Sequence, residues 1–379
     1  MKAQYEVAII GGGLAGLCAS IQLAKKGHSV VLYEKNHYPF NKVCGEYISL
    51  ESRAYLKELG FDANEHGLPQ ISRFSLTHQN GKKLDLKLPL GAFGVSRFYI
   101  DDKLADIALA NGVVLLQGTE VTDVEYLVEN DLFQVQTKSG ALLFKQVLGS
   151  FGKRSKLDKK QKRPFIEKIK DSKNNFVGVK YHVKSPIEID KIELHLFEEG
   201  YAGISRIEDD KTCFCYLTTA NLLKRASGDI GALENRFLRA NPHLDEHFNT
   251  FEKLWDEPLT ISNIEFGPKE QVHNHIIMLG DAAGMITPLT GNGMSMAMHA
   301  SKLAVGQVVE FLKGNISRAQ MEFNYTKQWQ KHFGSRVKKA RKYQNMFFNQ
   351  GLVSSVISLA KVMPFVGKIM VKSTHGKSF

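Results

Sequence analysis

Glu6-Val-Ala-Ile-Ile10 is a short apolar run that leads directly into Gly11-Gly12-Gly13-Leu14-Ala15-Gly16, and this junction restricts the fold more than any other feature of the chain. The run lacks a helical period, as expected of a parallel strand buried on both faces. Leu17 to Lys26 then reads as a helix that Gly27 ends, and Ser29-Val-Val-Leu-Tyr33 reads as the next strand, closed by Glu34. In this G-x-G-x-x-G pattern Gly11 permits a tight turn, Gly13 lets the backbone approach a pyrophosphate, and Gly16 allows close helix–strand packing. The helix N-terminus, with Leu14 and Ala15 just ahead of it, offers unpaired N–H groups and positive potential to that pyrophosphate. Glu34, with Lys35 beside it, ends the second strand where a ribose diol would donate hydrogen bonds to a carboxylate. The pattern therefore predicts a bound dinucleotide, and by itself it fits FAD and NAD equally.

A second glycine-rich element lies near the other end of the chain. Ile276-Ile-Met-Leu279 reads as another buried strand, followed by Gly280-Asp281-Ala282-Ala283-Gly284, Pro288, Gly291-Asn292-Gly293 and an apolar helix from about Met294 to Leu312. A strand that ends in Gly-Asp puts a carboxylate at the mouth of a parallel sheet, where ligands bind. The segment resembles the FAD-binding Gly-Asp motif of flavoprotein hydroxylases and reductases of the p-hydroxybenzoate hydroxylase fold. The resemblance implies that Gly280 and Asp281 hold the ribityl chain. It also implies that Gly291 and the backbone at Asn292, Gly293 and Met294 meet the pyrimidine edge of the isoalloxazine. NAD-only enzymes have no need of this element, so the two motifs together point to FAD. A third match is Val95-Ser-Arg97, ahead of a helix expected over Asp102 to Asn111, with Gly118-Thr-Glu-Val121 further on. In the same superfamily an Arg here approaches the pyrophosphate and the backbone near Val121 meets the adenine; capping a helix is the plainer alternative for Arg97.

Between Glu34 and the next helix stands Pro39-Phe-Asn-Lys42-Val43-Cys44-Gly45-Glu46. This P-x-x-x-x-C-G pattern is similar to that of the geranylgeranyl reductase family, which places Lys42, Cys44 and Gly45 beside the flavin ring. Cys44 is a weak catalytic candidate; a small buried residue is the simpler reading of a free cysteine, and a reactive thiol requires an exposed, electropositive setting. Where hydroxylases of this fold carry Gly-Ala-Asp-Gly, the chain has Gly149-Ser150-Phe151-Gly152. The acid is replaced by Phe151, a departure from the NADPH-dependent aromatic hydroxylases. The Trp-x-Trp-x-Ile-Pro sequence of flavin halogenases is missing, since Trp255 and Trp329 stand far apart. Glu199-Gly200-Tyr201-Ala-Gly203 resembles a stretch that lies over the flavin in reductase-like relatives, making Tyr201 a second weak catalytic candidate, with a core tyrosine as the alternative.

Elsewhere Asn80-Gly81 between apolar alternations predicts a hairpin over Ser72 to Leu88. Val121 to Ser150 reads as a meander, and Phe176 to Thr218 as strands of a further sheet. The net charge of +11 is concentrated in two places: eleven basic and no acidic residues from Lys327 onward, and a run over Lys153 to Arg163 read as a solvated face. The helical pattern Leu352, Val353, Val356, Ile357, Leu359, Ala360, Met363 lies in the first of these. Packing on the body of the protein is the reading preferred for it, and an anionic membrane surface the alternative. The four cysteines fit neither a disulfide framework nor a zinc spacing. His195, His273, His275 and His299 have no recognisable metal spacing, so no metal is expected.

The expected fold is α/β: a discontinuous Rossmann-type FAD-binding domain (1–70, 92–158, 260–312), an inserted antiparallel-sheet substrate domain (71–91, 159–259) and a C-terminal helical cap (313–379). The resemblance implies a geranylgeranyl-reductase-like oxidoreductase that transfers hydride or electrons through FAD to a lipophilic isoprenoid, polyketide or acyl substrate. A flavin monooxygenase and a non-catalytic flavin-binding module are the alternatives. NAD(P)H or a donor protein is the expected electron source. The expected setting is cytoplasmic, with peripheral contact at the inner membrane surface through the basic C-terminal region and with no nucleic acid partner.

Overall fold

A computed structural model of the chain describes residues 3–169, 175–264, 266–348, 350–363 and 376–379. Its first strand, β1 (Tyr5–Ile10), is followed by α1 (Leu14–Lys25) and β2 (Val30–Tyr33). Val7 to Ile10 and all of β2 are buried, as the apolar runs require. From Leu14 to Leu23 α1 is buried all round, because the helices Gly293–Leu312 and Arg97–Ala110 pack against it on either side. A helix without a polar face needs such cover.

Eight described strands form the first sheet, whose central path runs 272–273, 276–278, 140–149, β1, β2, 114–116. Both neighbours of β1 are parallel to it, with Val7 opposite Val30 and opposite Gln146. The strands 121–127 and 132–137 extend the sheet as an antiparallel meander. Four strand ends are held level: Gly11 N–H donates to Tyr33 O (2.8 Å), Ser150 N–H to Ile10 O (2.8 Å), Glu34 N–H to Leu116 O (3.0 Å) and Leu279 N–H to Gly149 O (2.9 Å). The carboxyl edge of a parallel sheet is where α/β folds place ligands.

Nine described strands form the second sheet, in the order 252–253, 176–184, 212–219, 200–206, 191–197, 70–77, 83–94, 47–49, with 259–264 also on 176–184. The Asn80-Gly81 hairpin is present, with Gly81 at φ +81°. The antiparallel expectation needs one correction: 191–197 pairs parallel with 70–77, from Lys191 opposite Arg73 to His195 opposite Thr77. Only a tight hairpin forces antiparallel pairing, and these two strands are separated by the whole meander of the first sheet.

The helix expected from Asp102 begins instead at Arg97, where the Ser96 hydroxyl caps it by accepting from Tyr99 N–H. Nor is the basic run over 153–163 simply a solvated face. Arg163 is fully buried, paired with Asp158 at 2.9 Å and donating to the carbonyls of Glu270 and Ala282, while Lys156 and Lys160 reach Glu120 and Asp123 at the surface.

The C-terminal part is helical over Arg318–Trp329, Ser335–Phe347 and Gln350–Val362. The last of these buries Val353, Ile357 and Ala360 against Leu76, Leu84, Leu196 and Phe347, and Lys82 Nζ reaches Ser354 Oγ (3.0 Å) and Ser358 Oγ (2.7 Å). It therefore packs on the hairpin, with Leu352 and Leu359 on the exposed side. No described helix is long and apolar enough to cross a membrane. Pro364, which closes the apolar pattern, lies outside the described residues.

Candidate functional site

A cavity of about 1360 Å³ runs from the carboxyl edge of the first sheet to the inner face of the second. Of the residues singled out from the sequence, Gly11, Gly13, Leu14, Ala15, Glu34, Lys35, Lys42, Cys44, Gly45, Arg97, Val121, Tyr201, Gly280, Asp281, Gly291, Gly293 and Met294 all line it. Gly16 and Asn292 do not. A Cβ on Gly16 would stand 2.1 Å from Gly11 O, so this glycine serves packing beneath the turn. Asn292 is a fully buried residue at the N-cap position of the helix Gly293–Leu312, without a side-chain capping bond.

The glycine turn is shaped for a close visitor. Gly11 has φ +103°, and a Cβ there would strike Ser150 O at 2.5 Å. Gly13 differs: its backbone is extended (φ −82°), and the nearest atoms to a Cβ are Arg97 Nη2 at 3.5 Å and Lys42 Nζ at 3.7 Å. The space above Gly13 is thus bounded by two cations and the N-terminus of α1. Glu34 Oε2 accepts from Gly12 N–H at 2.9 Å, and its Oε1 accepts from the Asn36 amide groups at 3.0 Å. Tyr38, which sequence reasoning passed over, donates its hydroxyl to Gly12 O at 2.5 Å and braces the turn from outside.

Arg97 donates to Asp101 through Nε (2.8 Å) and Nη2 (2.6 Å), and Lys42 Nζ reaches the same carboxylate at 3.0 Å. Burial would raise the Asp101 pKa, but Arg97 and Lys42 more than offset this and hold it below the usual aspartate range. The loop after Cys44 is fixed by Glu46, another residue to which no role had been assigned. Its carboxylate accepts from Arg97 N–H (2.8 Å) and His182 Nε2 (2.7 Å) and pairs with Lys180. Lys180 and His182 alternate on strand 176–184, so both point to one face; that alternation was the available signal.

Cys44 Sγ lies 3.7 Å from Met294 Sδ, joining the loop to the helix that starts at Gly293. Burial pushes its thiol pKa up despite Arg97 nearby, so the electropositive setting does not produce a thiolate. Tyr201 meets both of its readings, being almost wholly buried in an apolar cluster and also on the cavity wall. Burial raises its phenol well above the ordinary value, which leaves it a neutral group. Asp281 is raised by burial against the pull of Lys269, Arg97 and Lys153. Lys153 is lowered to about 8, chiefly by burial, with Asp281 opposing. Phe151, the departure from the hydroxylases, stands on the same wall.

The far end of the cavity has a different character. Phe74, Leu88, Ile192, Leu194, Leu217, Met285 and Leu289 line it, contributed by the second sheet and the loop before Gly291. One end thus carries a glycine turn, a helix N-terminus and cations, and the other end is apolar.

Residues 4–332 match the family described as FAD binding domain. The chain belongs to that family. FAD is accordingly its cofactor, and the cleft fits one: open backbone at Gly13, basic groups beside it, and a carboxylate at each of two strand ends. The protein is an FAD-dependent enzyme of the oxidoreductase and monooxygenase superfamily. Among curated relatives, conditioned medium factor receptor 1 of Dictyostelium discoideum is 23% identical, covering 87% of this chain and 68% of the relative. The 1H-pyrrole-2-carbonyl-[peptidyl-carrier protein] chlorinase of Pseudomonas fluorescens is 23% identical (82% and 77%). A digeranylgeranylglycerophospholipid reductase of Methanosarcina acetivorans is 25% identical (92% and 86%). Among solved structures, a flavoprotein/dehydrogenase from Cytophaga hutchinsonii superposes with a TM-score of 0.75 at 19% identity (93% and 88%). A geranylgeranyl bacteriochlorophyll reductase-like protein from Thermoplasma acidophilum gives 0.74 at 16% (93% and 90%). These superpositions establish the fold.

His195, expected to be a plain surface or core residue, is buried beside Glu193 and His247 on the outer face of the second sheet.

Proposed function

We propose that the protein is a geranylgeranyl-reductase-like oxidoreductase that reduces a lipophilic isoprenoid, polyketide or acyl substrate. The observation that carries this reading is the set of apolar side chains Phe74, Leu88, Ile192, Leu194, Leu217, Met285 and Leu289 on the cavity wall, contributed by the second sheet and the loop before Gly291. At about 1360 Å³ the space exceeds the 300–1,000 Å³ of ordinary ligand pockets, as a site for a dinucleotide plus a second molecule should. The name of the Methanosarcina reductase supports the same class of substrate.

In this reading the Gly11–Ala15 turn and Arg97 hold the pyrophosphate, Glu34 the ribose and the backbone near Val121 the adenine. Asp281 takes the ribityl hydroxyls, and the backbone from Gly291 to Met294 meets the ring. Bound FAD supplies hydride or electron transfer. The chain's own residues orient and shield: Cys44, Gly45 and Tyr201 form the walls between the ring and the apolar end, and Leu289 and Met285 exclude water there. Reducing equivalents come from outside, through NAD(P)H or a donor protein. The basic C-terminal region provides peripheral contact with an anionic membrane holding such a substrate.

The chlorinase among the relatives keeps a second reading in view, a flavin monooxygenase or halogenating enzyme on the same fold. The test is anaerobic reduction of the purified flavoprotein, turnover with prenyl and acyl lipids, and product mass. A gain of two hydrogens supports the reductase. A gain of one oxygen or a halogen sinks it, and a flavin that no donor reduces favours the non-catalytic module.

A further inference from the structure

Strand Lys191–Phe197 has two faces, because successive side chains alternate. Ile192 and Leu194 line the cavity, whereas Glu193 and His195 project the other way, beneath the helix Pro242–Thr250. That helix brings His247 over them, so that one ligand atom from each of the three side chains lies within 4.8 Å of the others. His247 Nε2 is 2.7 Å from Glu193 Oε2, and His195 Nε2 is 3.3 Å from the same oxygen.

The surroundings orient these groups as outer-shell partners orient metal ligands. His195 is fully buried, and its Nδ1 shares a hydrogen bond with Thr77 Oγ1 at 2.8 Å. Thr77 is in turn held by Asn241 Nδ2 at 2.9 Å, from the residue that caps the same helix. His195 Nε2 has no hydrogen-bond partner among the described residues. A buried ring nitrogen without a partner is uncommon in a native fold. In the tautomer whose Nδ1–H is donated to Thr77, Nε2 turns a lone pair toward the Glu193 carboxylate, and a cation between them satisfies both acceptors. Lys191 Nζ holds Glu193 Oε1 at 2.7 Å, so that Oε2 is the oxygen turned to the two imidazoles; the same ammonium is shared with Glu188 at 3.5 Å.

We propose that Glu193 Oε2, His195 Nε2 and His247 Nε2 bind one divalent transition-metal ion of the Zn²⁺ class, with water in the fourth position. Two imidazoles and a carboxylate are a known zinc donor set, and imidazole selects against Mg²⁺ and Ca²⁺. Donors around a tetrahedral zinc stand about 3.3 Å apart; the Glu193–His195 pair already has that spacing, the Glu193–His247 pair opens from 2.7 Å, and the two imidazoles already lie within 4.8 Å. His247 is partly exposed and gives the ion its entry path. The ion would clamp the helix Pro242–Thr250 to the back of a strand whose front lines the cavity.

The test uses the full chain with FAD bound, stripped by a chelator and titrated with ZnCl₂ by calorimetry and with CoCl₂ by visible absorbance. One saturable equivalent is expected, with the intense bands of tetrahedral Co²⁺ and a raised Tm. His247→Gln, which keeps a donor toward Glu193, should lose that equivalent, and Thr77→Val should weaken it by about ten- to a hundredfold. The bound-flavin spectrum of each variant confirms that it folds. The proposal is overturned if the wild type binds no saturable equivalent, if Co²⁺ gives only a weak octahedral spectrum, or if His247→Gln titrates like the wild type.

Discussion

Arg97 closes on Asp101 one helical turn away through two hydrogen bonds: Nε to Oδ1 at 2.8 Å and Nη2 to Oδ2 at 2.6 Å. The guanidinium beside the glycine turn is therefore aimed by a buried acid rather than by the ligand. Asp101→Asn leaves Arg97 and Lys42 side by side without their counter-charge. Loss of about 3–5 kcal/mol of stability is expected, the usual consequence of removing one partner of a buried pair, and urea unfolding of the variant measures it. The pH dependence has a definite sign. Because the folded pKa of Asp101 is depressed, its contribution is complete above the unfolded value of about 3.9 and is lost as pH falls through the lower folded value. Unfolding midpoints of the wild type should drop in that acid range, and those of Asp101→Asn should drop less.

Two glycines of one motif should fail in different ways. Gly13→Ala fits its extended backbone and meets nothing nearer than 3.5 Å, so stability should change by less than about 1 kcal/mol while FAD affinity falls at least tenfold. Gly16→Ala would press on Gly11 O at 2.1 Å and Ser150 Oγ at 2.6 Å, and should lose stability first. Paired flavin titrations and urea melts separate the two outcomes; equal loss of stability in both would refute the division of labour.

Cys44 should alkylate slowly. Burial raises its thiol pKa, and only the thiolate reacts. Native protein treated with iodoacetamide at pH 8 is expected to keep Cys44 unmodified long after a free thiol has reacted, as peptide mass analysis would record. Rapid labelling would show the loop to be open.

Burial lowers the Lys153 ammonium to about 8, with Asp281 opposing. A lysine whose folded pKa lies below its unfolded value binds fewer protons when folded, so stability rises with pH between about 8 and about 10.4. Thermal melts of apoprotein across that window should show the rise, and Lys153→Met should flatten it. FAD phosphates should move the same titration upward.

The parts legible in the sequence are those written locally. The turn from Gly11 to Gly16 and the Gly280-Asp281 strand end each lie within a few residues, and their backbone requirements leave few alternatives. The start of the helix at Arg97 is marked only by Ser96, an ordinary N-cap, because Phe98 and Tyr99 carry no helical apolar period. The burial of Arg163 could not be read from its neighbours, since Glu270 and Ala282 reach it only after the first sheet has closed. The meeting of His195 with His247 likewise depends on how a helix settles on a strand, and spacing along the chain carries no trace of it.

Glu46 holds a left-handed backbone (φ 53°) that glutamate rarely adopts, with its carboxylate committed to Arg97 N–H, Lys180 and His182. One acid thus ties the loop of Cys44 to the strand 176–184 of the other sheet. Freedom to vary is therefore unevenly distributed around the cavity. Changes near Lys180 and His182 disturb the cofactor as well as whatever lies beside it, whereas Phe74 and Leu88, on the hairpin, are clear of that knot. A lineage adapting this scaffold to a longer or bulkier molecule would find its room on the hairpin side.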